Sequence, residues 1–127
     1  MGYAHLMRFE PDELDLLDAT EEVEIETTPE EGSPHRTIIW VMVDGDEAFI
    51  RSVHGHSARW YREAIAHPDV IIHAAGRTLP TRVVPAPDAD SVRRTNDALT
   101  RKYTGTDGYP EMLEPAIFDT TLRLTPS

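Results

Sequence analysis

The spacing of hydrophobic and polar positions changes several times along the chain, and each spacing predicts an element. Val23, Ile25 and Thr27 alternate with glutamates, which is typical of a strand with one buried and one solvated face. The run IIWVMV over residues 38–43 is continuously apolar, which predicts a strand buried on both faces. Apolar or alternating runs predict four further strands: 48–53, 70–74, 78–84 and 116–124.

Three segments have helical spacing. The first helix begins at Pro11, within an acidic N-terminal region spanning residues 1–20. The second runs from a Ser57 cap to about Ala66, and its predicted apolar stripe is Trp60, Tyr61, Ala64 and Ile65. The third begins at Asp88 or Asp90 and ends at Tyr103. We therefore expect one domain over residues 1–127, with six strands and three helices.

Short connections set the expected architecture. Asp44-Gly45-Asp46 and Gly76-Arg77 are turn signals between consecutive strands, so the sheet should be mainly antiparallel. Pro80 suggests that the strand 78–84 lies at an edge or contains a bulge. Six strands in so short a chain favour an α+β fold in which the sheet curls into a small barrel. Residues 104–115 are rich in Gly and Pro, and such an irregular loop is usually functional or packs on a partner.

Charge and composition exclude several classes of protein. The 127 residues carry a net charge of −11, of which −10 falls in residues 1–31, and this argues against a nucleic-acid-binding protein. No apolar run is long enough to span a membrane, and no signal peptide is recognisable. Cysteine is absent, which removes disulfides, thiolate catalysis and cysteine zinc sites. We expect a cytoplasmic protein that binds neither nucleic acid nor membrane.

Familiar catalytic signatures are missing. There is no GxGxxG, GxxxxGK[ST], HExxH or GxSxG motif, and no pair of carboxylates stands out as an acid–base couple, so the catalytic residues stay unassigned. His54 and His56 would share one face of a strand, as metal ligands require. No third ligand follows at a suitable spacing, so turn-capping or solvent-facing histidines are favoured and no metal site is predicted.

A denser group of polar residues spans the end of the strand 48–53 and the following helix. Arg51, Ser52 and Arg59 can supply donors to an anion such as a cofactor phosphate. Arg36, just before the apolar strand, is a third candidate cation. Alternatively, Arg51 pairs with an acid across the hairpin and Trp60 is a core residue.

Residues 37–82 resemble the pyridoxamine-phosphate-oxidase-like split barrels, and more narrowly the flavin- or deazaflavin-dependent nitroreductase branch of actinobacteria. The matching features are an Asp-Gly turn, a strand that ends in Ser52 and Gly55, an aromatic helix with Trp60-Tyr61, and the sequence His67-Pro68-Asp69-Val70. The resemblance extends over about residues 20–125.

This resemblance implies a six-stranded split β-barrel that forms a homodimer and binds FMN or the deazaflavin coenzyme. The positions that it assigns to cofactor binding are Arg36, Arg51, Ser52, His54, Gly55, Arg59 and Trp60. The implied function is an oxidoreductase that passes hydride to a small organic acceptor. The alternatives are a non-catalytic barrel that binds a small molecule or haem, with His54 and His56 gaining importance, and a barrel without a cofactor.

Overall fold

The computed structural model describes residues 8–127, and the part of the predicted acidic N-terminal region on residues 1–7 lies outside them. The helices are α1 (Pro11–Ala19), α2 (Arg59–Ala66), α3 (Ala89–Tyr103) and the one-turn α4 (Tyr109–Met112), with 3₁₀ helices at Gly55–Ser57 and Pro115–Thr120. The strands are β1 (Val23–Thr27), β2 (His35–Ile39), β3 (Met42–Asp44), β4 (Glu47–Ile50), β5 (Asp69–Ala74), β6 (Arg77–Pro85) and β7 (Leu122–Pro126).

All seven strands belong to one antiparallel sheet in the order β2-β1-β5-β6-β7-β4-β3. The two edge strands, β2 and β3, are consecutive in the chain and are separated only by Trp40 and Val41. A flat sheet could not bring its edges so close, so the sheet curls into a half-barrel. The α+β fold predicted from the sequence is confirmed, with seven strands in place of six.

The additional strand comes from the apolar run 38–43, for which the prediction of one strand buried on both faces was wrong. β2 pairs with β1 and β3 pairs with β4, at opposite edges of the sheet, so the chain must bend between them. Ile38 is 60% exposed, whereas Val41 and Met42 are fully buried. The hydrophobic pattern correctly identified the apolar residues. It did not indicate the bend, because the run contains no glycine or proline.

The predicted strands 48–53 and 116–124 extend beyond the observed strands β4 and β7. The late start of β7 explains both differences. β7 begins at Leu122, which is the register partner of Ile50, so β4 has no strand to pair with beyond Ile50. Residues 115–120 form a 3₁₀ helix instead of a strand because Thr120 and Thr121 donate side-chain hydrogen bonds to the carbonyls of Ile117 and Phe118.

Pro80 lies in β6, which is an interior strand and not the predicted edge. Its carbonyl accepts a hydrogen bond from the Ser127 amide, so its nitrogen faces the same neighbour, β7. β7 ends at Pro126, opposite Thr81. The missing amide hydrogen therefore removes no bond from the β5–β6 ladder.

Helix α3 is attached to the β3–β4 hairpin by ionic contacts. Arg94 donates to the Asp44 carboxylate at 2.6 Å and to Glu47 at 2.5 Å, and Arg101 donates to the Val43 carbonyl at 2.5 Å. The Tyr103 ring is fully buried at the end of the helix. These contacts place α3 and the segment after it against the bend between β2 and β3.

Lys102 is the only lysine of the chain, and its ammonium donates to the Leu17 and Val41 carbonyls at 2.9 Å each. Burial lowers the pKa of Lys102 to about 8. The ¹³Cε resonance of labelled lysine should therefore titrate with a midpoint near 8 in the folded protein and near the ordinary value of about 10.5 in urea.

The same shift gives the sign of a stability change. Between pH 8 and 10.5 the unfolded chain binds a proton that the folded chain does not, so wild type should gain stability relative to Lys102→Gln as the pH rises through this window. A single midpoint above 10 in the folded protein would show that the ammonium is not desolvated.

Candidate functional site

A cavity of about 280 Å³ lies where the β2–β3 bend, the segment after β4, α2 and the loop after α3 meet. Its walls are mostly apolar and contain one cationic side chain, Arg51. The lining residues are Thr37, Ile38, Ile39, Trp40, Arg51, Val53, His54, Trp60, Gly108 and Met112. Three of the residues predicted for cofactor binding, Arg51, His54 and Trp60, therefore share one cavity.

Arg51 is held by neutral acceptors and is only 2% exposed. Its Nε donates to Thr121 Oγ1 at 3.0 Å, and its Nη1 donates to Asn96 Oδ1 at 2.7 Å and to the Met112 carbonyl at 3.0 Å. The guanidinium also lies over the Phe118 ring, with Cζ 4.6 Å from the centroid. These contacts fix the side chain in one orientation.

Among residues 8–127 Arg51 has no carboxylate partner, and the hairpin acids Asp44 and Glu47 pair with Arg94 instead, so the alternative of an ion pair across the hairpin was wrong. Its Nη2 is buried and has no hydrogen-bond acceptor among residues 8–127. Burial lowers the pKa of Arg51 to about 10, which still leaves the side chain protonated at neutral pH. An uncompensated buried cation costs stability, and an anionic oxygen next to Nη2 would reduce that cost.

Ser52 and Gly55 turn the chain from β4 into the cavity wall. Ser52 is fully buried, and its hydroxyl donates to the Gly55 carbonyl at 2.7 Å. Gly55 has φ of +65°, a backbone conformation that favours glycine. Arg51 and Ser52 follow β4, which ends at Ile50, and both are buried, so they do not lie within a strand, as the prediction of a strand over 48–53 required. Neither Ser52 nor Gly55 lines the cavity, but the turn that they form shapes the cavity wall.

The two histidines of this turn have different surroundings. His54 lines the cavity, whereas His56 bonds to Asp119 at 2.9 Å on the surface. Within residues 8–127, no three His, Cys, Asp or Glu side chains come together in a way that would hold a metal ion.

Trp40 and Trp60 are the only two tryptophans of the chain, and both line the cavity. Trp60 is 7% exposed and comes from the apolar face of α2. Trp40 comes from the β2–β3 bend and stacks on the Tyr103 ring, with centroids 4.1 Å apart and the planes at 4°. Tryptophan fluorescence therefore comes only from residues of this cavity.

Helix α2 differs from its prediction at two points. It begins at Arg59 after Ala58, and Ser57 lies instead in the preceding 3₁₀ helix, where its hydroxyl donates to the His54 carbonyl. Ile65, assigned to the apolar stripe, is 41% exposed. The buried face consists of Trp60, Tyr61 and Ala64.

Arg36 and Arg59 lie outside the cavity. Arg36 on β2 forms ion pairs with Glu24 and Glu26 of the neighbouring strand β1. Arg59 lines a separate groove beside α2. The structure does not bring these two arginines to Arg51.

The segment 104–115, predicted to be an irregular loop, contains the one-turn helix α4 and closes one side of the cavity. Gly108 and Met112 line it, and a methyl group on Gly108 would lie 3.6 Å from Trp40 Cη2. Gly108 has φ of +93° and Gly105 has φ of +87°, but Gly105 has open space around it.

This pair of glycines gives a controlled test of the loop. Gly108→Ala and Gly105→Ala should both destabilise the protein by about 1–2 kcal/mol, because alanine is strained at positive φ. Only Gly108→Ala should change the Trp40 fluorescence, because only its methyl group meets that ring. Denaturant unfolding and emission spectra of the two variants measure these effects, and equal spectra would exclude Gly108 from the cavity wall.

Several residues that line the cavity or hold Arg51 were not singled out from the sequence. Trp40 lay inside the run interpreted as a buried strand, while Met112, Asn96 and Thr121 are far from Arg51 in the sequence. The Gly- and Pro-rich loop was the one signal for the residues after α3. No local pattern indicates that Asn96 and Thr121 would accept hydrogen bonds from Arg51.

The family model described as an uncharacterized protein conserved in bacteria (DUF2255) matches residues 13–124. The chain belongs to the DUF2255 family. No curated protein matches this DUF2255 chain.

Solved structures similar to this DUF2255 protein share its fold at low sequence identity. An F420-H2-dependent reductase, FDR-A, is 14% identical with a TM-score of 0.62, covering 83% of this chain and 93% of that one. HutZ, the haem storage protein from Vibrio cholerae, is 14% identical with a TM-score of 0.67, covering 95% and 92%. A NimC/NimA family protein from Clostridium acetobutylicum is 13% identical with a TM-score of 0.68, covering 100% and 88%.

Pyridoxamine-phosphate-oxidase-like proteins are also among the structural neighbours, so the split-barrel resemblance seen in the sequence is confirmed for the fold. Among residues 8–127, no helix combines the length and apolar character that a membrane crossing requires.

Proposed function

We propose that this DUF2255 protein binds a flavin or deazaflavin cofactor in the Arg51 cavity and is an oxidoreductase that passes hydride to a small organic acceptor. The observation that carries the proposal is the buried Arg51: its Nη2 has no acceptor among residues 8–127, and the residue lines the same cavity as both tryptophans. A planar ring with a negatively charged group matches these walls, since aromatic side chains stack on rings and a guanidinium binds anionic oxygens.

The size of the cavity supports binding of part of such a cofactor. Ligand pockets usually enclose roughly 300–1,000 Å³, and this one encloses about 280 Å³. The cavity is open to solvent at Ile38 and Val53, which are 60% and 42% exposed. A flavin would therefore place one portion between the walls and extend the remainder outside.

The contribution of the protein is binding and orientation. Arg51 would donate from Nη2 to an anionic oxygen, and Trp40 and Trp60 would contact the ring faces and exclude water. A bound flavin or deazaflavin supplies the hydride chemistry itself. Asn96, Thr121 and the Met112 carbonyl would keep the guanidinium in place through the hydrogen bonds that they accept from it.

Absorption spectroscopy tests the proposal. We expect saturable binding of FMN or the deazaflavin coenzyme at one per chain, followed by oxidation of the bound reduced cofactor by a nitroaromatic acceptor. Binding without turnover would leave a flavin-binding protein that is not an enzyme, and absence of binding would contradict the proposal.

A second candidate is haem binding, and one observation favours it. His54 lines the cavity, and a histidine imidazole is a common axial ligand of haem iron. A Soret band that is lost in His54→Ala and kept in His56→Ala would support this function over the flavin one, since His56 is bound to Asp119 away from the cavity.

We further propose that the chain forms a homodimer with the open side of the cavity at its interface. The support is the apolar rim of Ile38 and Val53, which is exposed in a single chain. Light scattering should give twice the chain mass for wild type and a lower mass for Ile38→Lys. A monomeric wild type at micromolar concentration would contradict the dimer.

A further inference from the structure

The ion pairs of the chain single out two more arginines besides Arg51. All eleven arginines lie within residues 8–127. Eight of them form ion pairs with Asp or Glu: Arg8, Arg36, Arg77, Arg82, Arg93, Arg94, Arg101 and Arg123. In this described part of the chain, only Arg51, Arg59 and Arg62 are left without a carboxylate partner within 4 Å.

Two unpaired arginines are unexpected in a protein with a net charge of −11. Arg59 and Arg62 are three residues apart on α2, so their side chains lie on neighbouring turns of the same helix face. Both are exposed, and both line a groove of about 230 Å³ together with Pro29, Glu30, Glu63, Ala66 and His67.

The carboxylate nearest in sequence to both arginines is already engaged elsewhere. Glu63 accepts from Thr27 Oγ1 at 2.7 Å and bonds to His35 Nδ1 at 3.0 Å. Burial alone would raise the pKa of Glu63, but the hydrogen bonds from His35 and Thr27 and the nearby charge of Arg59 lower it. Glu63 thus remains ionised and bound to β1 and β2, and its hydrogen bonds go to Thr27 and His35 and to neither arginine of the groove.

The groove lies close to the Arg51 cavity. Trp60 lines the cavity, and the preceding residue, Arg59, lines the groove. On β2, Thr37 lines the cavity, and His35, two residues or about 7 Å along the strand, bonds to Glu63 in the groove. A flexible arm of several bonds that leaves the cavity beside Trp60 can therefore reach Arg59 and Arg62.

We propose that the cofactor of the cavity carries a polyanionic tail, which lies along α2 and is bound by Arg59 and Arg62. This inference rests on the proposed cofactor site, and it favours a deazaflavin coenzyme, whose side arm carries several carboxylates, over FMN with its single phosphate. Arg51 binds the part of the ligand inside the cavity, and the α2 groove binds the part outside.

Affinities of three ligands for two matched double variants test the tail site. The ligands are riboflavin without an anionic group, FMN, and the deazaflavin coenzyme with its glutamate tail. Arg59→Gln/Arg62→Gln removes the unpaired charges, and Arg82→Gln/Arg93→Gln removes two exposed charges that have acid partners. Both variants change the net charge equally.

We expect Arg59→Gln/Arg62→Gln to weaken binding of the tailed coenzyme by about three- to thirtyfold, as for two exposed ionic contacts, and to leave riboflavin binding unchanged. The loss should shrink in 0.5 M salt, because the charges are solvent-exposed. The control variant should bind all three ligands like wild type.

The outcomes separate this inference from the proposed function. If wild type binds riboflavin or FMN but the tail adds no affinity, or both double variants lose it equally, the tail site is excluded and the cavity site stands. If the largest loss falls on FMN, the groove binds a phosphate and the polyanionic tail is wrong. If wild type binds none of the three ligands, the proposed function and the tail site fail together.

Discussion

Arg51→Met should lower the affinity for the cavity ligand by about 10- to 150-fold, which corresponds to the roughly 1.5–3 kcal/mol of one hydrogen bond to a charged group. Nη2 is the one Arg51 nitrogen without an acceptor in the part of the chain that the structure describes. A ligand oxygen that accepts from it gains a charge-assisted hydrogen bond from a guanidinium that is only 2% exposed. Isothermal titration of wild type and variant measures the difference.

The folded state of Arg51→Met should survive this change. Methionine fills much of the arginine volume, and removing a buried cation without a counterion offsets the loss of its bonds to Asn96, Thr121 and Met112. Arg82→Met, at an exposed ion pair with Asp69, is the matched control and should bind ligand like wild type. Equal affinities of wild type and a folded Arg51→Met would remove Arg51 from the site.

Trp60→Ala should reduce the free energy of unfolding by about 3–5 kcal/mol, the range measured for truncation of large buried aromatic residues. Trp60 is 7% exposed and packs in the larger core cluster beneath the sheet, so its removal leaves a void next to the cavity. Urea unfolding followed by circular dichroism measures the loss.

Trp60→Phe separates packing from ligand contact. The variant should lose less stability because a six-membered ring remains. Ligand binding should still quench the fluorescence of its remaining tryptophan, Trp40. Ile65→Ala on the same helix is the control, because Ile65 is 41% exposed and should change stability little. A Trp60→Ala protein as stable as wild type would show that α2 does not close the core.

The sequence was sufficient for the elements whose hydrophobic pattern reflects local structure. The alternation at Val23, Ile25 and Thr27 predicted β1 with its buried face, and the turn predicted at Asp44-Gly45-Asp46 joins the antiparallel strands β3 and β4. The bend at Trp40 and Val41 was missed because it depends on where β2 and β3 find partners. The residues around the bend do not indicate which strands β2 and β3 will pair with.

The candidate site was predictable only where its residues are close in sequence. Arg51, His54 and Trp60 lie within ten positions and were identified together, and all three line the cavity. The groups that hold Arg51 come from α3, α4 and the residue before β7, and only the folded chain brings them there. Arg36 and Arg59 were grouped with Arg51 from their chemistry, but their actual neighbours depend on strand register and helix orientation.

The indole N–H signals of Trp40 and Trp60 provide the most direct test that the Arg51 cavity is the cofactor site. A ¹H–¹⁵N spectrum of the chain contains two such signals, one for each tryptophan. Both should shift together and saturate at one FMN or deazaflavin coenzyme per chain, and Arg51→Met should require about 10- to 150-fold more ligand. Saturable cofactor binding that leaves both indole signals unmoved would place the cofactor elsewhere and contradict the account.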